Sequence, residues 1–136
     1  MAQKPENAFI AGVHKHLPPV KAFHREKMNN PYSSGTADVW YSSKLDLWVE
    51  YKYLPKLPVR VPIEPDLSEL QKDWLARRYR EGRNVWVIVG FNKGGVIMRD
   101  MQWERPMPVS EFLQRAIDRK AIAEIIITEC GGFTMY

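Results

Sequence analysis

Apolar and polar positions alternate with a period of two over residues 36 to 41 and 45 to 53, Thr-Ala-Asp-Val-Trp-Tyr and Leu-Asp-Leu-Trp-Val-Glu-Tyr-Lys-Tyr. That period, with the Val, Trp and Tyr content, predicts two strands of one hairpin. If Ser43-Lys44-Leu45 is the loop, Ser42 opposes Asp46 and Trp40 lies across from Trp48. The same register puts Asp38 directly across from Glu50, with Cβ atoms roughly 5 Å apart. Along the second strand, Glu50 and Lys52 share a face with Trp48, and Leu47, Val49 and Tyr51 take the other.

The remaining elements follow from the same kind of pattern. Phe9, Ile10, Val13 and Leu17 have helical spacing, so residues 5 to 17 predict a helix that opens near Pro5 and stops at Pro18-Pro19. Residues 20 to 27 alternate poorly and predict a strand, with Val20, Ala22 and His24 on one side. Residues 28 to 35, Met-Asn-Asn-Pro-Tyr-Ser-Ser-Gly, read as loop. After the hairpin, Pro55, Pro58, Pro62 and Pro65 demand an extended connector. A helix over 66 to 81 buries Leu67, Leu70, Trp74 and Leu75, starts on a capping box (Asp66 with Glu69, or Ser68 with Gln71) and ends at Gly82. Residues 84 to 91 are a nearly continuous apolar run, as in a strand covered on both faces. A turn at 92 to 95 returns the chain as a strand over 96 to 103. Val109, Phe112, Leu113, Ala116 and Ile117 trace another helix, ending at 118 to 120, and 121 to 130 reads as a last strand at a sheet edge or subunit contact. This order predicts an α/β domain with a mixed sheet flanked by helices.

Composition narrows the classes. The 136 residues fit one domain with a single core. A net charge of +4 and a pI near 9.2 are modestly basic and by themselves decide nothing about nucleic acid. One cysteine, Cys130, excludes an internal disulfide and a multi-cysteine zinc site. His14, His16 and His24 have no zinc-enzyme spacing. No apolar run reaches the roughly 18 residues of a membrane helix, and no signal-peptide core opens the chain, so a cytoplasmic location, that of the host cell, is expected.

The candidate chemistry lies in the hairpin. Two carboxylates side by side require a cation between them, which Lys52 or a divalent metal supplies. The bland reading is a cross-strand salt-bridge cluster of Asp38, Glu50 and Lys52. Asp38 followed a dozen residues later by Glu50-Tyr51-Lys52 resembles the PD-(D/E)XK nuclease superfamily. Leu-Ser-Glu-Leu-Gln-Lys-Asp-Trp-Leu, residues 67 to 75, is similar to the glutamine-bearing helix that follows the hairpin in the VRR-NUC and the archaeal or phage Holliday-junction resolvase branches. One departure is Ala37, where the family name has proline. The resemblance implies a restriction-endonuclease-like core and a site in which Asp38, Glu50, the Tyr51 carbonyl and Glu6 hold Mg2+, with Mn2+ as a substitute. In that site Lys52 orients water or stabilises charge, and Gln71 positions substrate or water.

Each assignment has a plainer competitor. Glu6 sits at the start of the inward stripe of the first helix, where a carboxylate also complements the helix dipole. Gln71 is equally a capping residue. Ser33 and Ser34, with Asn29 and Asn30, offer donors to phosphate or form an ordinary turn. Lys56 and Arg60 reach DNA backbone or simply solvate the connector, and Arg77, Arg78, Arg80 and Arg83 suit phosphates or a solvated helix face. The expected function is a metal-dependent, structure-selective DNA endonuclease, of the phage Holliday-junction resolvase type. Two symmetric cuts call for a homodimer acting on branched DNA. The alternatives are a VRR-NUC-like nuclease for flaps or single strands, and a non-catalytic DNA-binding module of the same fold.

Overall fold

The computed structural model describes residues 4–28 and 35–131. In chain order its elements are α1 (Pro5–His14), β1 (His24–Lys27), β2 (Val39–Ser42), β3 (Asp46–Tyr53), α2 (Glu69–Arg80), β4 (Val85–Phe91), β5 (Gly94–Met98), a 3-10 turn (Gln102–Glu104), α3 (Val109–Arg115) and α4 (Arg119–Glu129). The five strands form one sheet in sequence order. Neighbours are antiparallel except β3 and β4, which run parallel and are joined by the connector and α2, as a parallel pair requires.

The hairpin has the register its pattern predicts: Ser42 faces Asp46 and Trp40 faces Trp48. Alternation then sorts the strands into two cores. Val39, Tyr41, Leu47, Val49, Tyr51, Trp86 and Ile88 pack beneath α1 and α4, against Phe9, Ile10, Val13, Ile122 and Ile126. Val85, Val87, Val89, Val96 and Met98 face the other way, against Leu75 of α2 and Phe112 of α3. β4 is buried along its whole length because both layers cover it.

Six expectations are corrected. Residues 121 to 130 are not a strand: α4 starts on Asp118, whose carboxylate accepts the Ala121 N–H at 2.8 Å, and buries Ile122, Ala123, Ile126 and Ile127. That one-sided stripe overrides the β preference of a Ile-Ile-Ile run. The preceding helix ends at Arg115, because Ala116 turns extended and Ile117 exchanges backbone hydrogen bonds with Gly95, covering the outer edge of β5. Gly94 is required at this crossing: a Cβ there would lie 2.1 Å from the Ile117 oxygen. β1 spans only His24–Lys27, since Ala22 and Phe23 both donate to the Pro19 carbonyl in a turn and Val20 is exposed. α1 ends at His14, three residues early, and α2 begins at Glu69, which leaves Leu67 buried ahead of the helix and Leu70 exposed instead of in the stripe. β5 ends at Met98, after which Asp100 and Met101 adopt positive φ and the expected strand over 99 to 103 is replaced by the 3-10 turn.

Candidate active site

The site forms where β2 leaves the ladder. The last β2–β3 pair is Val39 with Val49, so Asp38 is not the ladder partner of Glu50 that the parity predicts. Its carboxylate instead takes over the next hydrogen bond, with Oδ2 accepting the Tyr51 N–H at 2.8 Å. N–H and C=O of one strand residue point the same way, so the Tyr51 carbonyl lies on the Asp38 side of β3. Asp38 thus occupies the plane of the sheet, between the two layers.

Glu50 projects from β3 on the α2 side and is the only charged residue fully buried among the described residues, at 1% exposure. Its Oε2 accepts the Gln71 amide at 3.0 Å and lies 3.6 Å from the Lys52 ammonium. Its Oε1 is buried with no donor to accept from, and the Asp38 carboxylate is the group with which a protonated Glu50 shares a hydrogen bond. Gln71 caps α2 and also contacts Glu50 and Lys52. With Ser68 it completes the capping box of α2, Ser68 Oγ accepting the Gln71 N–H at 3.1 Å and Gln71 Oε1 accepting the Ser68 N–H at 3.0 Å. The same Oε1 accepts from Lys52 at 3.3 Å while the amide nitrogen holds Glu50. The start of α2 therefore holds the Glu50 and Lys52 side chains of β3.

Electrostatics marks the same group of residues. Burial first, then the Asp38 carboxylate, push the Glu50 carboxyl up to about 9, against the pull of Lys52. Desolvation outweighs the nearby ammonium, so without a further cation Glu50 keeps its proton at neutral pH. Glu6 is raised in the same direction, by partial burial and then by Asp38, with Lys52 and Lys27 opposing. A cavity of about 410 Å³ opens over Glu6, Asn7, Ile10, Lys27, Met28 and Asp38. Asn7 and Lys27, linked at 3.2 Å, line it although their sequence neighbourhood gives no hint of a site. Lys27 reaches the cavity only because β1 pairs with β2 and ends beside Asp38, a long-range consequence of sheet order.

The donors fit a hard divalent cation in kind: carboxylate oxygens, a strand carbonyl, and one buried carboxylate oxygen with no donor to accept from. Among the described residues no three His, Cys, Asp or Glu side chains converge closely enough to enclose an ion. Glu6 lines the cavity with Asp38, whereas Glu50 lies on the α2 side and is not part of its lining, so the three carboxylates do not close a cage.

The other candidates are scattered. Ser33 and Ser34, with Asn29 and Asn30, lie outside the described residues. Lys56 and Arg60 are exposed on the connector that leaves β3 after Tyr53. Arg77 pairs with Asp73 at 3.1 Å on the outer side of α2, and Arg78 pairs with Glu81 at 3.4 Å while lying over the Trp74 ring. Trp74 meets Trp48 edge to face, and Trp48 stacks on Trp40 at 5.8 Å, so an aromatic row extends from α2 across the face that carries Glu50. No described helix is long and apolar enough to cross a membrane.

A mixed five-stranded sheet flanked by helices, with the acidic pair at the break between its second and third strands, is a restriction-endonuclease-like α/β fold. Among solved structures the chain is similar to that of Hjc from Archaeoglobus fulgidus, a Holliday junction resolvase from an archaeal hyperthermophile, with a TM-score of 0.54 and 14% identity over 87% of this chain and 99% of that chain. No family model matches the chain, and no curated protein sequence does.

Proposed function

We propose that this chain is a metal-dependent, structure-selective DNA endonuclease, a Holliday-junction resolvase of the phage type acting as a homodimer on branched DNA. The observation that carries the reading is the buried Oε1 of Glu50, short of a donor beside Asp38, with Lys52 and Gln71 fixed around it, in a fold shared with a resolvase. A structural salt-bridge cluster gains nothing from an orphaned carboxylate oxygen, which costs stability.

Asp38, Glu50 and the Tyr51 carbonyl are the ligands for Mg2+, or Mn2+ in its place, with Glu6 at the edge of the same cavity. When bound, the ion supplies positive charge at the phosphate and acidifies water. The protein's own groups do the rest. Lys52 sits at the mouth of the site, one-fifth exposed, where its ammonium neutralises charge that develops on the phosphate oxygens as water attacks phosphorus and the bond to the 3′ oxygen breaks. Gln71 keeps Lys52 and Glu50 in register, so neither reorganises during the step. Arg77, Arg78, Lys56 and Arg60, with Ser33 and Ser34 ahead of Asp38 in the sequence, hold the DNA backbone.

Cleavage requires the ligand and the cation, whereas binding draws on the dispersed basic residues. Glu50→Gln and Lys52→Ala are each expected to lower Mg2+-dependent cleavage by about a thousandfold or more while salt-sensitive DNA binding persists. The assay compares a four-way junction, a flap, plain duplex and single strand with Mg2+, Mn2+ and chelator. Paired cuts near the crossover support the dimeric resolvase. Preference for flaps or ends assigns the chain to repair nucleases of the VRR-NUC type, and binding without cleavage of any substrate by the wild type makes it a non-catalytic module.

A further inference from the structure

The connector from 54 to 65 joins the two elements that hold Glu50, Lys52 and Gln71. It is pinned at both ends: Leu54 N–H donates to the Gly90 carbonyl at 2.8 Å, and Ile63 exchanges hydrogen bonds with Met107 at 2.7 and 2.9 Å. Leu57 packs into the core below α2 and α3, and Pro55, Pro58, Pro62 and Pro65 restrict the backbone in between. A segment held this way has no folding reason to place aliphatic side chains in water. Yet Val59 is 85% exposed and Val61 62%, and Val59 is the most exposed large apolar side chain among the described residues. Arg60 between them and Lys56 before them are exposed as well. Below the tip, Leu54, Leu57, Val59 and Ile63 line a cavity of about 440 Å³ whose charged members are Lys56 and Glu64.

We propose that the tip at 58 to 61 is an apolar wedge for DNA that has lost stacking: Val59 and Val61 seat against the face of an unstacked base at a branch point, and Lys56 and Arg60 take the phosphates on either side. This deepens the nuclease reading and rests on it, because it names the feature of the DNA that the site selects. Two aliphatic side chains flanked by cations complement an apolar base face bordered by phosphates. Insertion into plain duplex must first separate stacked bases, whereas at a branch the bases are already parted, so the same contact favours the branch. The connector begins at Leu54, two residues after Lys52 and immediately after the end of β3. Stiffness matters here, since a wedge that folded away on contact would discriminate nothing.

The test uses a four-way junction with 2-aminopurine beside the branch point and a linear duplex of the same sequence, both in chelator so that nothing is cut. Wild-type protein is expected to raise the 2-aminopurine emission of the junction on binding. The double variant V59S/V61S, with an unchanged melting temperature, is expected to lose that rise and to lower the ratio of junction to duplex affinity about tenfold. R60A is expected to weaken both DNAs alike. Wild-type emission and affinity ratio retained in V59S/V61S overturn the wedge, even if the junction is still cut with Mg2+. The same holds if sedimentation shows that V59S/V61S converts a dimer to a monomer, which makes the tip a contact between two copies. If wild type fails to cleave with metal but the emission response and its loss in V59S/V61S persist, the nuclease reading fails and the wedge stands.

Discussion

Along β3 the side chains of Leu47, Val49 and Tyr51 enter the core under α1 and α4, while Trp48, Glu50 and Lys52 turn toward α2. The two faces treat polar groups in opposite ways. On the first, the Tyr51 hydroxyl meets the Tyr41 hydroxyl at 2.6 Å, and Tyr41 meets His14 Nε2 at 2.7 Å, so the buried hydroxyls are satisfied in a chain that ends on the half-buried His14. Burial, aided by Arg25 and Lys27, lowers His14 to about 4, which keeps the imidazole neutral in that chain. On the second face, Glu50 is equally buried but keeps an oxygen without a donor and a proton it would shed in water. One strand therefore anchors the fold with satisfied groups on one side and carries a buried carboxyl short of donors on the other.

The sharpest way to break this comparison is to damage the anchoring face. Leu47 is fully buried, and Leu47→Ala removes three methyl-sized groups from a packed core, at a cost of about 2–5 kcal/mol. Urea denaturation should show that loss, while cleavage per folded molecule stays near wild type. If cleavage falls as steeply as stability, the two faces are not separable.

The opposite sign is expected on the other face. Glu50 titrates near 9 in the fold against an ordinary 4.5, so the folded state holds a proton that the unfolded chain releases. Its favourable contribution is complete below pH 4.5 and is lost progressively as pH rises toward about 9. Glu50→Gln mimics the protonated group at every pH. In chelator at pH 8 the variant is expected to be more stable than wild type by about 1–3 kcal/mol, with no difference near pH 4. Thermal melts across that range decide it. A destabilised variant at pH 8 would mean that Glu50 is an ordinary salt-bridge partner of Lys52. Mg2+ added to the wild type should narrow the gap, because a cation at Oε1 takes the place of the proton.

Much of this contrast is legible in the sequence, and the parts that are not share a cause. Strand parity with a Ser43-Lys44-Leu45 loop gives the register of Trp40 with Trp48, and parity puts Glu50 and Lys52 on one face, because a one-residue slip would turn every side chain over. Gln71 is readable as a cap, and the structure shows that cap together with a hydrogen bond to Glu50, since the first turn of α2 lies over β3. Departures arise where tertiary contacts outweigh local preference. The Ile-Ile-Ile run folds as α4 because Ile122, Ala123, Ile126 and Ile127 form one buried stripe behind the Asp118 cap. Asp38 leaves the ladder because its side chain, which periodicity does not track, substitutes for backbone at Tyr51. Lys27 and Asn7 come to the cavity through the pairing of β1 with β2 and the seating of α1, contacts that no local window contains.

The smallest effect is the most discriminating for the anchoring face. Tyr41 lies in none of the proposed site, and its hydroxyl serves only the chain between Tyr51 and His14. Tyr41→Phe leaves the ring in place, against Phe23 and edge to face with His14, and deletes the oxygen that both neighbours use. The expected loss is about 1–2 kcal/mol, the cost of one buried hydroxyl and two groups left short of a partner. The acid limb should persist. His14 is lowered from 6.5 to about 4 chiefly by burial, so the unfolded chain binds its proton first and stability falls as pH drops through that interval in both proteins. Cleavage by Tyr41→Phe at neutral pH is expected to match wild type, because nothing on the Glu50 face has lost a partner. A stability change near zero would show that the hydroxyl chain is incidental to packing. A cleavage defect with stability intact would show instead that the chain sets the backbone of Tyr51, whose N–H and carbonyl face Asp38 in the plane of the sheet.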